Sequence, residues 1–181
     1  KYSLFLFSYF IVVNGLVSQT YYSIGTYPGW TIYEVHIDDV CSCSATPIAS
    51  TQGPISDPTF SPEGDLYANT EGAGGYHLLK FNFVTNEFDF VALFPPQATI
   101  PWGMICVGNG VFYIMQYINN DTRSLNRWNL NSGTWTTLGN IPFYTYGLTM
   151  FDGQIYTQTW YGMVVVDTLN PANSLQAVDT Y

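Results

Sequence analysis

Three short stretches decide the reading of this chain: Glu63-Gly64-Asp65-Leu66-Tyr67, Asn109-Gly110-Val111-Phe112-Tyr113 and Asp152-Gly153-Gln154-Ile155-Tyr156. Each is an acid or Asn, then Gly, any residue, an apolar residue and Tyr. They recur at intervals of 46 and 43 residues, and a fainter copy without the Gly, Gln19-Thr20-Tyr21-Tyr22, lies 45 residues before the first. Asn-Gly and Asp-Gly supply the positive φ angles of a tight two-residue turn, so each motif predicts a β-hairpin. A second hairpin follows in every unit. Its strands are expected at 76–83 and 87–94, at 123–131 and 134–141, and at 162–169 and 174–181. The polar residues before these second turns align as His36, Asn82, Asn129 and Asp167. No window carries a helical period.

Four strands per unit of about 45 residues is the blade of a β-propeller. Blades pack on both faces, which explains consecutive apolar residues such as Met163-Val164-Val165-Val166 without a membrane. A β-sandwich predicts similar strand spacing but no four-strand repeat with a fixed hairpin signature. The expected organisation is all-β, with about four antiparallel blades at 19–52, 53–97, 98–142 and 143–181. The first of these lacks its innermost strand. On this reading the chain is the N-terminal part of a longer ring, of six to eight blades, completed by sequence beyond 181.

Residues 1–18 stand apart. One cation, Lys1, precedes an apolar run and then small or polar residues, the layout of a cleaved secretory signal. The run is shorter than the ~20 apolar residues of a membrane span. Cleavage is expected after Gly15 or Ser18, and with it a secreted or cell-surface location. The three cysteines, Cys41, Cys43 and Cys106, leave at least one thiol unpaired within the chain and show no zinc spacing.

Composition narrows the function classes. Of 181 residues 18% are aromatic and only 9% charged, and four basic residues against thirteen acids give a net charge of −9. Four cations cannot track a phosphate backbone, so nucleic acid is not an expected partner. The unit Gly-x-apolar-Tyr, then apolar-x-apolar-Asn/Asp, then Thr-Asn or Ser-Gly, best seen at 64–88 and 110–135, resembles blades of secreted bacterial propellers of the YVTN-like and quinoprotein-like groups. That resemblance covers about 160 residues. It implies the architecture and says little of activity, since such folds host many functions.

Propeller ligands are expected at one mouth of the central channel, on the loops entering each innermost strand and joining the second strand to the third. Here those loops are 52–55, 95–102 and 142–146, with 69–75, 117–123 and 160–162. The candidate ligand-binding residues are Trp102, Tyr144, Tyr146, Trp160, Tyr161, Asn69 and Glu71, with Asn119, Asn120 and Asp121 nearby. Aromatic platforms beside amides and carboxylates suit a sugar or an extended peptide. The competing explanation is that the rings fill space between blades. No nucleophile-elbow, His-Glu-x-x-His or P-loop motif is present, and His36 and His77 lack a catalytic context. The expected function is therefore a binding or scaffold module for protein or carbohydrate, with no cofactor. The alternatives are a propeller hydrolase, lactonase or lyase, with calcium as the ion an oxygen-rich site could take, and an adhesive or structural module of the cell envelope.

Overall fold

A computed structural model describes residues 19–25, 30–39, 42–51, 54–99, 101–119, 122–159 and 162–179. The expected signal segment, Cys41, Asn120, Asp121, Trp160 and Tyr161 lie outside these residues. The first sheet holds β1 (Gln19–Gly25), β2 (Trp30–Asp39) and β3 (Ser42–Thr51). The second holds β4 (Ser56–Phe60), β5 (Leu66–Gly72), β6 (Gly75–Asn82) and β7 (Glu87–Leu93). The third holds β8 (Pro101–Cys106), β9 (Val111–Asn119), β10 (Thr122–Asn129) and β11 (Thr134–Ile141). The fourth holds β12 (Tyr146–Phe151), β13 (Gln154–Thr159), β14 (Gly162–Val165) and β15 (Leu175–Asp179). Every sheet is an antiparallel meander in chain order.

The three repeat motifs form turns of two kinds. Asn109 and Gly110 (φ 52° and 69°) and Asp152 and Gly153 (φ 49° and 72°) both take the left-handed pair of a primed turn. The Glu63-Gly64 motif departs from the expected two-residue turn. Pro62 and Glu63 occupy the centre, closed by Gly64 N–H donating to Ser61 O at 3.0 Å, and only Gly64 has positive φ. Proline fixes φ near −65° and so cannot enter a primed turn.

The polar residues at the ends of the third strands do the work their alignment suggested, with one exception. The Asn82 side-chain oxygen accepts from the amides of Val84 and Thr85, that of Asn129 from Ser132, and that of Asp167 from Leu169 and Asn170. These bonds satisfy turn amides that no strand partner reaches. His36 does not belong to the series. It sits inside β2, with Nε2 3.6 Å from a Glu34 carboxylate oxygen. The strand expected over 162–169 stops at Val165, because the Asp167 turn and a short 3-10 turn, Pro171–Asn173, redirect the chain before β15.

Sheets stack through three apolar layers. Ile32, Ile55, Leu66, Ala68 and Phe81 join the first sheet to the second. Leu78, Phe94, Met104, Phe112 and Trp128 join the second to the third, and Ile105, Met115, Leu125, Leu148 and Ile155 join the third to the fourth. Cys106 is a buried free thiol in the second layer, its backbone amide donating to Thr59 Oγ1 at 3.2 Å. Burial pushes its pKa up, so it acts as a small core residue. Glu63 reaches across the same boundary, where one carboxylate oxygen accepts from the Asn109 amide at 3.2 Å.

The first strands of successive sheets meet, β4 against β8 and β8 against β12, so they form the innermost layer. The β8–β12 approach is tight. A Cβ at Gly103 would stand 2.9 Å from the Gly147 Cα and carbonyl carbon, closer than such atoms come. Gly103→Ala is therefore expected to destabilise the fold by about 1–3 kcal/mol, the usual cost of overpacking. A urea titration checks this; an unchanged midpoint would mean that the two strands can part at no cost.

Candidate functional site

In all four-stranded sheets the first strand begins, the second ends, the third begins and the fourth ends at one side of the molecule, because neighbouring strands are antiparallel. The candidate residues among those described lie on that side, several of them in strands and not in loops. Trp102 belongs to β8, Tyr117 and Asn119 to β9, and Asn69 and Glu71 to β5. Tyr146 opens β12, and Tyr144 lies in the connection before it.

Trp102, Tyr117 and Tyr144 come together around Arg123, near the start of β10. The guanidinium carbon lies 5.5 Å from the Trp102 ring centre, 4.8 Å from Tyr117 and 4.4 Å from Tyr144. Arg123 pairs with Tyr117 across the β9–β10 ladder, two residues from the Leu125–Met115 pair that faces the fourth sheet. It is thus the last residue of that face before the loop side. The rings also contact each other: Trp102 and Tyr117 centres are 5.7 Å apart at a 35° tilt, and Tyr144 meets Tyr146 edge-on at 5.0 Å. Partial burial and a hydrogen bond with Tyr144 hold the Tyr146 phenol above its usual pKa, against the nearby charge of Arg123.

Arg123 is fully buried, at 0% exposure, while Trp102 remains 37% exposed. Its Nη1 donates to the backbone carbonyls of Asn119 and Thr122. Its Nε and Nη2 have no hydrogen-bond partner, and no carboxylate pairs with it among the described residues. Burying a cation is expensive unless something replaces its water, and here ring faces supply part of that. The sequence reading placed Arg123 at the end of a loop and missed its central role. The available signal was a scarce cation closing the 117–123 loop, on the side expected to carry Trp102 and Tyr144.

A second cluster surrounds Asn69, which is 1% exposed. Its side-chain amide donates to Asp57 Oδ2 at 2.9 Å, and its oxygen accepts from Ser56 Oγ at 2.8 Å. The Asp57 carboxyl is enclosed although the residue as a whole is partly exposed, and its pKa is raised to about 6, chiefly by desolvation and against hydrogen bonds from Asn69 and Ser56. Asp57 also holds φ at 49° directly before Pro58, where the preceding residue favours extended backbone. Glu71 stands apart from it, exposed near the far end of β5 and opposite Tyr76. His77 packs over its own hairpin, with Nε2 3.1 Å from Ala73 O and its ring edge-on to Phe90. Among the described residues no three His, Cys, Asp or Glu side chains gather as a metal site.

The chain matches no protein-family model and no curated protein in sequence. Solved structures do match it in shape. TolB from Acinetobacter baumannii superposes with a TM-score of 0.55 at 11% identity, over 86% of this chain and 40% of that one. A puromycin hydrolase complexed with PGG gives 0.52 at 14% identity, over 90% of this chain and 27% of that one. A luciferin-regenerating enzyme gives 0.50 at 17% identity, over 92% of this chain and 64% of that one. The fold is that of a partial β-propeller. The chain spans less than two thirds of each of these proteins, and identities this low establish the propeller fold and nothing finer. Among the described residues no helix is long and apolar enough to cross a membrane.

The raised Asp57 pKa carries a pH dependence. The folded state prefers the protonated acid, so this group's contribution is most favourable below pH ~4 and is lost as pH rises through about 6. Asp57→Asn, which tolerates positive φ, should therefore stabilise the protein at pH 7 to 8 by up to about 3 kcal/mol. The gain should vanish near pH 4. Equal effects at both pH values in thermal melts would mean that the carboxyl is well solvated.

Proposed function

We propose that this propeller segment is a binding module working outside the cell or at its surface, with a carbohydrate or protein as its ligand. One observation carries the reading: Trp102, Tyr117 and Tyr144 converge around Arg123 on the side where the strand-joining loops lie. A partly exposed Trp packed against a tilted Tyr offers an apolar ring face, and such faces with a few fixed polar groups are characteristic of ligand sites. The export-type layout of residues 1–18 supports the location. The cation supply supports exclusion of nucleic acid: of four basic residues Arg123 is buried, and Lys80 is held 2.8 Å from Asp65. Neutral and acidic oligosaccharides and extended peptides, titrated against intrinsic fluorescence, test the proposal. Trp102→Ala should weaken the binding found by about tenfold or more, the scale of an aromatic anchor. Silence of every class at millimolar concentration would overturn the reading.

A hydrolytic function is the second reading, and Asp57 is the specific observation that favours it. A carboxyl with a pKa of about 6, in a strained backbone position on an innermost strand, suits general acid–base chemistry. Any hydrolysis by this site should follow a pH profile with an inflection near 6 and be abolished in Asp57→Asn. Turnover that survives the substitution would remove Asp57 from the chemistry.

A further inference from the structure

Among the described residues, Nε and Nη2 of the Arg123 guanidinium have no hydrogen-bond partner. The atoms concerned, Nε and Nη2, form one edge of the planar fork, and two parallel N–H groups point away from it. The opposite side is occupied, with Nη1 donating to the carbonyls of Asn119 and Thr122. The ring faces of Tyr117 and Tyr144 compensate part of the charge, but they do not replace the hydrogen bonds of this edge. A buried guanidinium so arranged is complementary to an oxyanion accepting side-on through two oxygens, and a planar carboxylate matches the planar fork.

We infer that the Arg123 edge is the carboxylate subsite of an acidic-sugar binding site, whose pyranose ring lies on Trp102. The inference deepens the binding-module reading and rests on it. Trp102, 37% exposed, has an indole face about the size of one sugar ring, and Tyr117 packs against it at 5.7 Å and a 35° tilt. The carboxylate of a uronic acid projects outward from the rim of its ring, so a sugar flat on that face can direct it sideways to the guanidinium. A peptide terminus places its carboxylate on a tetrahedral carbon beside a side chain, which fits a flat face less well. Since Arg123 is covered, entry requires the enclosing rings to part. Tyr144 is the ring free of strand pairing, in the connection between β11 and β12, whereas Trp102 and Tyr117 sit in strands.

The test compares tri-galacturonate with its methyl ester on the full chain, following Trp fluorescence and calorimetry. The acid should bind about tenfold or more tightly than the ester, the scale of a charge-assisted bidentate pair. Arg123→Lys, which keeps the charge but lacks the fork, should lose most of that preference. Equal binding of acid and ester would overturn the carboxylate subsite and leave the aromatic platform standing. Absence of binding by either sugar, with a peptide discriminating between free and amidated C-termini, would overturn the sugar assignment in favour of a peptide. Absence of binding by all of these would remove both the subsite and the binding-module reading. Should Arg123→Lys fail to fold, the acid–ester comparison on the unaltered protein decides the matter.

Discussion

Convergence of the innermost strands is the constraint on which this structure depends. Sheets that fan around a common axis are crowded at the centre and open at the rim, so the first strands must come closest. At the β8–β12 boundary the backbones approach until only hydrogen fits, and glycine stands on both sides, at 103 and 147. The same approach sets the neighbouring side chains. Trp102, one residue before Gly103, and Tyr146, one before Gly147, are carried to the same side of the two strands. Core packing and the candidate site are thus two results of one close contact.

Arg123 is the electrostatic counterpart of that geometry. In a chain with so few cations, one at 0% exposure is a costly choice for mere packing. Three aromatic rings and two backbone carbonyls reduce the cost, but they leave an edge of the fork unmet. An apolar side chain of similar volume would fill the end of that layer without this burden. On the binding reading proposed above, that edge is kept for a ligand.

The fold was largely legible in the sequence, because its evidence is local. A turn of Asn109-Gly110 or Asp152-Gly153 type constrains the backbone by itself, and the repeat spacing then gives the strands per sheet. Errors arose where a neighbouring residue overrode the motif. Pro62 changed the first turn, and Asp167 with Pro171 shortened β14. The site was legible by residue type and not by arrangement. Trp102, Tyr144 and Tyr146 stood out as aromatics near expected loops, yet Arg123 looked like an ordinary residue where a loop meets a strand. Its burial follows from register, from facing Tyr117 on the side that meets the fourth sheet, and register depends on contacts distant in sequence. Asn69 was noticed as a rim amide. Its bond to Asp57, a residue in an unusual backbone conformation, required the β4–β5 pairing to be seen.

The meander order of every sheet bears on how the chain reaches its native state. Each described strand pairs with its sequence neighbours, so pairing within these sheets does not wait for a distant segment. Contact order is consequently low for an all-β protein, and low contact order goes with fast folding. The side-chain turns at Asn82, Asn129 and Asp167 stabilise three of those closures from within a few residues. Individual meanders can form early, while the apolar layers between them are the slower, shared step. Arg123 stands at the end of one such layer, so its surroundings are completed only when the third and fourth sheets dock.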